Sequence, residues 1–241
     1  MKPAVGAVSF VLRVGWLSRL PLPLRSALLD VAWVRNYSAG ETLYAGGDPS
    51  GGLYGLESGC LALEGVQSDS PPQKSFLVHP GAWIGEGPVC GLETRMIGAS
   101  ATRASAVVAI EVAAFRRVAA RAPDLWRHIA LLSLRNHART IGLAQDLMLR
   151  GSRERLAALL ARLAGLRDAH PPVPLVIDAT QGEIAAIANL SRSVVSSLLL
   201  KMELDGLVRL RRASVEILDV ERLLATREAA AGAERSWKTW S

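Results

Sequence analysis

From residue 37 to about residue 115 the apolar positions fall in short runs, interrupted about every ten residues by turn-forming text such as SAGE, GGDPSGG, ESG, SDSPPQ, HPG and GEG. That rhythm predicts many short strands folded as a sandwich or barrel. Within GGLYGLESGCLALEGV, Gly59 divides two strand-like pieces that are expected to pair as a hairpin. SDSPPQK is the long loop.

After Phe115 the period lengthens. Pro123 suits an early helical turn, and the text from Asp124 to Arg150 then carries Trp126, Ala130, Leu134, Ile141, Ala144 and Met148 at spacings of three, four and seven, interrupted by His137. This is an apolar stripe on a long helix. A small β-domain offers such a helix little cover, so a symmetric partner helix is expected; burial in the chain's own core is the alternative. Past Gly151-Ser152, RERLAALLARLAGL predicts another helix, and RDAHPPVPL a loop. Leu175 to Ile177 predicts a short strand.

The most informative text is TQGEIAAIANLSRSVVSSLLLKMELDGLV, residues 180–208. Thr180 and Glu183 have capping-box spacing, which fixes a helix start. Ile184, Ile187 and Ala188 share one side of a short helix. Asn189 tolerates a left-handed backbone and can end it in a tight turn, after which Ser191 can cap a second helix. That helix is expected to bury Val194, Val195, Leu198, Leu199 and Met202 and to present Arg192, Ser193, Ser196 and Ser197 outward, with Gly206 as its stop. Two short helices so joined form a helix-turn-helix, whose second helix can enter a DNA major groove.

Short hydroxyls and a guanidinium suit close approach to base edges, where Leu or Glu would mostly obstruct or repel. GLVRLRRASVEILDV then predicts a two-stranded wing, Leu207 to Leu210 and Val215 to Leu218, turning near Arg212-Ala213. Lys201, Arg209, Arg211 and Arg212 are placed to meet phosphates. The same geometry also occurs in proteins that bind no DNA.

Composition narrows the classes. With 241 residues, 50% hydrophobic and 21% charged, the chain can bury one large core or two modest ones. Residues 1–115 hold 8 basic and 9 acidic side chains, 116–150 hold 7 and 2, and 151–241 hold 13 and 11, so most of the net +6 sits in the middle. A basic balance favours polyanionic partners, although a solvated helix face is the bland reading. No uncharged stretch approaches the roughly 20 residues of a membrane span. Arg13 breaks the apolar run near the N-terminus, so no signal peptide or membrane partner is expected and a cytoplasmic location is.

Two cysteines, Cys60 and Cys90, make neither a disulfide framework nor an iron–sulfur site. His79, His128, His137 and His170 lack metal spacing, so no metal is expected. Haem at His79 and a redox role for Cys90 are weighed against a turn residue and a small buried hydrophobe. Without a third orienting group, an enzyme is not expected.

From about Trp16 to Leu224 the chain resembles the CRP/FNR superfamily of bacterial transcription regulators. The resemblance rests on AGETLYAGGDPSGGLYGLESGCLAL, HPGAWIGEG and TQGEIAAIANLSRSVVSSLLLKMELDGLVRL, the last with capping box, turn, Ser-Arg pair and E-x-x-G-L ending at the family's spacing. It implies an α+β fold: an N-terminal antiparallel, jelly-roll-like β-roll for an effector (1–120), a long dimerisation helix (121–150), a C-terminal winged helix-turn-helix (151–228) and a tail (229–241). It also implies a homodimer on two-fold symmetric double-stranded DNA, with half-sites roughly 34 Å apart, and RNA polymerase as partner for an activator.

Departures touch both sites. Members that bind cyclic AMP follow a Gly-Glu pair with Arg-Ser-Ala, whose Arg neutralises the cyclic phosphate. Gly85-Glu86 are present, but Ile97-Gly98-Ala99 stand where Arg-Ser-Ala should. Arg95 or Arg103 could substitute; strand alternation favours Arg95 as the inward one. The expected effector pocket is Gly85, Glu86, Arg95, Ala99, Ser100 and Thr140, the last aligning loosely with a base-reading position. The effector is left open, with a cyclic nucleotide among the options.

Ser193 and Ser197 replace the Glu and Arg of members with well-studied sites, so the operator cannot be borrowed. Leu200, at a usually polar place, has no explanation in the sequence. The rival reading is a small-molecule or redox sensor that signals by protein contact, its helix-turn-helix vestigial.

Overall fold

The computed structural model describes residues 10–49, 51–65, 73–167 and 171–226. The tail 229–241, most of the SDSPPQK loop and His170 lie outside the described residues. The chain divides into two compact units, 1–138 and 139–241.

In the first unit a 3-10 turn (Leu17–Arg19) and α1 (Leu22–Leu29) precede eight strands: β1 (Trp33–Tyr37), β2 (Thr42–Tyr44), β3 (Gly52–Ser58), β4 (Leu61–Gly65), β5 (Gln73–Val78), β6 (Trp83–Ile84), β7 (Gly98–Ala101) and β8 (Ser105–Glu111). The short α2 (Glu86–Cys90) joins β6 to β7, and α3 (Val112–Arg121) follows β8. Two four-stranded antiparallel sheets result, ordered β1-β8-β3-β6 and β2-β7-β4-β5.

Neighbouring residues of β8 serve different cores, as strand alternation requires. Val107 packs with Tyr37, Tyr44, Leu56, Leu61 and Ala99. Val108 and Ile110 pack with Trp16, Leu53, Trp83 and Phe115. This second cluster also takes Leu125, Ile129 and Leu132 from α4 (Leu125–Leu147). The first half of the long helix is thus seated on its own domain by one face, while Trp126, Leu134, Ile141 and Met148 of the expected stripe stay exposed.

The expected hairpin across Gly59 does not form. β3 pairs with β6 and β8, whereas β4 pairs with β5 and β7, so the Gly59-Cys60 corner carries the chain from one sheet to the other. The corner needs glycine: φ is +95°, and a Cβ there would lie 2.2 Å from Ser105 Oγ. β3 is mostly buried and β4 is buried at its start, and crossing between sheets lets each bury its own side.

In the second unit the end of α4 is followed by α5 (Ser152–Leu163), β9 (Val176–Ile177), α6 (Gln181–Ala188), α7 (Arg192–Leu204), β10 (Val208–Arg211) and β11 (Ser214–Ile217). A buried ion pair ties α4 to α5. Arg162 Nε donates to Asp146 Oδ2 at 2.7 Å, and Arg167 reaches Oδ1 of the same carboxylate at 3.0 Å. Gly142 makes room for this, since a Cβ there would stand 2.7 Å from Arg162 Nη2.

The three strands form one antiparallel sheet ordered β10-β11-β9, with a two-residue turn at Arg212-Ala213. The predicted wing and short strand are present, each bounded within about a residue of expectation. Among the described residues no single helix is long and apolar enough to cross a membrane.

Candidate nucleic-acid interface and effector site

The recognition face is built by local backbone chemistry. Thr180 Oγ1 accepts from the Glu183 amide at 3.2 Å, and the Thr180 amide donates to Glu183 Oε2 at 2.7 Å, so the capping box is complete. Asn189 adopts φ 51° and ψ 49°, the left-handed region, and the Leu190 amide folds back to the Ala185 carbonyl. Ser191 caps α7 by accepting from the Val194 amide. The two helices are inclined at 111°, within the range of a helix-turn-helix.

Val195, Leu199 and Met202 of α7 are fully buried, each contributing roughly 1.5–3 kcal/mol of apolar transfer. Their side of the helix is thereby fixed inward. Arg192, Ser193, Ser197, Leu200, Lys201 and Leu204 are exposed, and Ser196 is half-buried at the margin. Val194, expected inside, is exposed because it falls about 100° from the buried ridge. Ser193 and Ser191 hydroxyls lie 3.1 Å apart, which ties Ser193 to the cap.

Acidic side chains nearby are occupied elsewhere. Glu203 Oε1 accepts from the Leu210 amide at 2.6 Å, bracing the wing. Asp205 pairs with Arg153. On the wing, Glu216 accepts from both Arg209 and Arg211 at 3.2 Å. The hydrogen bond from Arg211 is the leading cause that holds the Glu216 carboxyl below its ordinary value. Arg209, Arg211 and, at the turn, Arg212 are all exposed.

In the first unit, Gly85, Arg95 and the Tyr44 and Tyr54 rings come together. Arg95 is 4% exposed, although it lies in the loop before β7 rather than in a strand. Its inward course comes from that loop's bonds, Arg95 amide to Asp48 carbonyl and Gly47 amide to Arg95 carbonyl, both 2.8 Å, and strand alternation is not the reason. The guanidinium carbon stands 4.2 Å over the Tyr44 ring and 5.2 Å from that of Tyr54. Nη2 donates to the Gly52 carbonyl at 2.8 Å, while Nε and Nη1 find no partner among the described residues. A Cβ on Gly85 would lie 2.7 Å from Nη1, so only glycine backbone fits beside it. Burial keeps the Tyr44 phenol protonated well above its ordinary range.

The other expected pocket residues divide. Glu86 accepts from Asn136 Nδ2 at 2.9 Å, and the same amide donates to the Trp83 carbonyl. Asn136 is not legible as a site residue; its one signal is a polar side chain in helical register with the apolar Leu125, Ile129 and Leu132. Ala99 belongs to the core between the sheets. The Ser100 hydroxyl donates to Glu64. Arg103 donates to the Gly59 carbonyl instead. Thr140 is exposed on α4 in the second unit. Cys60 is buried and Cys90 exposed; desolvation, then Glu86, raises the Cys90 thiol, which argues against a reactive thiolate.

Two family models match the chain, a cyclic nucleotide-binding domain over residues 34–122 and a Crp-like helix-turn-helix domain over 154–226. Together they cover more than half of it. The chain is 27% identical over 197 residues to a "CRP-like cAMP-activated global transcriptional regulator" of Mycobacterium tuberculosis, covering 78% of this chain and 85% of that protein. It is 28% identical over 199 residues to the "Nitrogen fixation regulation protein FixK" of Bradyrhizobium diazoefficiens, covering 79% and 80%. The solved structure of FixK2 from Bradyrhizobium japonicum shares the fold at a TM-score of 0.67 and 17% identity, covering 81% of this chain and 97% of that one. A cyclic-nucleotide-binding-type β-roll and a capped, winged helix-turn-helix in one chain, matched along both, place it in the CRP/FNR superfamily of DNA-binding transcription regulators, which are not enzymes.

Proposed function

We propose that the protein binds a two-fold symmetric operator as a homodimer, with Arg192, Ser193, Ser196 and Ser197 at base edges and Lys201, Arg209, Arg211 and Arg212 at phosphates. The single observation that carries this is the exposed Arg192, Ser193 and Ser197 at the N-terminal end of α7, held outward by a fully buried apolar ridge and flanked by wing arginines while nearby carboxylates are engaged. Phosphate contacts supply affinity and salt dependence; base-edge contacts supply sequence preference.

The partner copy is expected on the exposed stripe of α4, because Leu134, Ile141 and Met148 lie on the side away from Leu125, Ile129 and Leu132. The Nε and Nη1 of Arg95, which find no partner among the described residues, favour an anionic small molecule as effector. A cyclic nucleotide satisfies that chemistry, reached through Arg95 in place of the family's usual Arg. The effector acts by binding one arrangement of the dimer better than another. RNA polymerase is the further partner if the protein activates.

Three outcomes follow. With duplexes selected from a random library, Arg192→Ala loses sequence preference, whereas Arg212→Ala weakens all sequences alike and lowers the slope of log affinity against log salt by about 1; equal effects in a binding titration contradict these roles. Ile141→Asp yields a monomer by analytical ultracentrifugation where the unaltered chain is a dimer; an unchanged mass contradicts the α4 interface. In a thermal-shift screen of cyclic AMP, cyclic GMP and inorganic phosphate, at least one stabilises the protein and Arg95→Gln abolishes the response. An equal shift from uncharged adenosine counts against an anion site.

A further inference from the structure

On α7, Ser193, Ser197, Leu200 and Leu204 stand at i, i+4, i+7 and i+11, within about 60° of arc at 100° per residue. The exposed stripe is therefore two hydroxyls followed by two leucines. Leu200 is 52% exposed and Leu204 87%, so neither contributes much to the chain's own core. Single exposed leucines are ordinary on a protein surface. Here, though, Leu200 continues the very line of side chains assigned to base edges, with the Lys201 ammonium beside it.

Its position sets what it can touch. Leu200 lies about 12 Å along the axis from Arg192, and Leu204 about 18 Å, against a major groove about 12 Å wide. Leu204 is thus at or beyond the rim. Helical side chains lean toward the N-terminus, so the Leu200 isobutyl group covers the turn occupied by Ser196 and Ser197. An apolar branch leaning into a line of hydroxyls has one matching feature on the floor of the major groove, the C5-methyl of thymine.

We propose that Leu200 is a specificity-determining residue that packs on a thymine methyl in each half-site, so that the operator is read there by apolar contact rather than by hydrogen bonding. The inference rests on the DNA-binding reading above and adds to it the identity of a base and the atom read. The neighbouring Lys201 retains the phosphate role.

The test uses the full chain and the duplex it selects from a random library. Each thymine is replaced in turn by deoxyuridine, which removes the C5-methyl and leaves every hydrogen-bonding group in place. For the unaltered protein, one substitution per half-site is expected to weaken binding about three- to tenfold. For Leu200→Ala, the same substitution costs nothing further, while Leu204→Ala retains the unaltered protein's sensitivity.

A selected duplex without a methyl-sensitive thymine, or a penalty that persists in Leu200→Ala, overturns the inference alone. A change of oligomeric state in Leu200→Ala by ultracentrifugation also overturns it, because the residue would then serve a second copy. Failure to select any duplex overturns the DNA-binding reading, and this inference with it.

Discussion

The second unit depends on a backbone constraint, the left-handed turn at Asn189 held between two side-chain caps. Thr180 and Glu183 fix where α6 begins, and Ser191 fixes where α7 begins. The intervening residue must then reverse the chain at positive φ, which costs most side chains roughly 1–2 kcal/mol and Asn less. With both helix starts and the bend determined, the 111° inclination follows, and Val195, Leu199 and Met202 can face inward only together. The outward stripe is the remainder of that geometry. Its chemistry is free to serve a ligand because it contributes little to stability.

Charge is arranged by pairing more than by number. Residues 151–241 are nearly balanced in formal charge, yet Glu203, Asp205 and Glu216 are each bonded to a wing amide or an arginine. Glu216 also fixes Arg209 and Arg211 on one face of the wing. Exposed pairs of this kind are weak and salt-screened, so phosphates can replace the carboxylate at little cost. In the first unit the logic is reversed: Arg95 is buried, stacked on two tyrosines and incompletely bonded, a costly state that a bound anion would relieve.

The capping box, the Asn189 bend, the wing and the long helix were legible because each is written in neighbouring residues at fixed spacing. Features that depend on distant partners were not. No local pattern states that β3 and β4 belong to different sheets, since alternation marks faces but does not name partners. Arg95 is inward as strand alternation suggests, but its course is set by a loop's backbone bonds, to which alternation is blind. Asn136 reaches Glu86 from fifty residues away. Val194 belongs to a hydrophobic cluster in the sequence but not to the buried face, because helical rotation separates it from Val195 by about 100°.

In the proposed complex the outer stripe of α7 and the wing are covered by a duplex. Hydroxyl-radical footprinting of the full chain, read residue by residue with mass spectrometry with and without a selected duplex, measures that cover directly. Oxidation of Leu200, with neighbouring α7 and wing residues, is expected to fall when DNA binds, while that of the exposed Met96 of the β-roll unit is unchanged. Bound DNA that leaves Leu200 and the wing fully reactive, or that shields the β-roll instead, would contradict this arrangement.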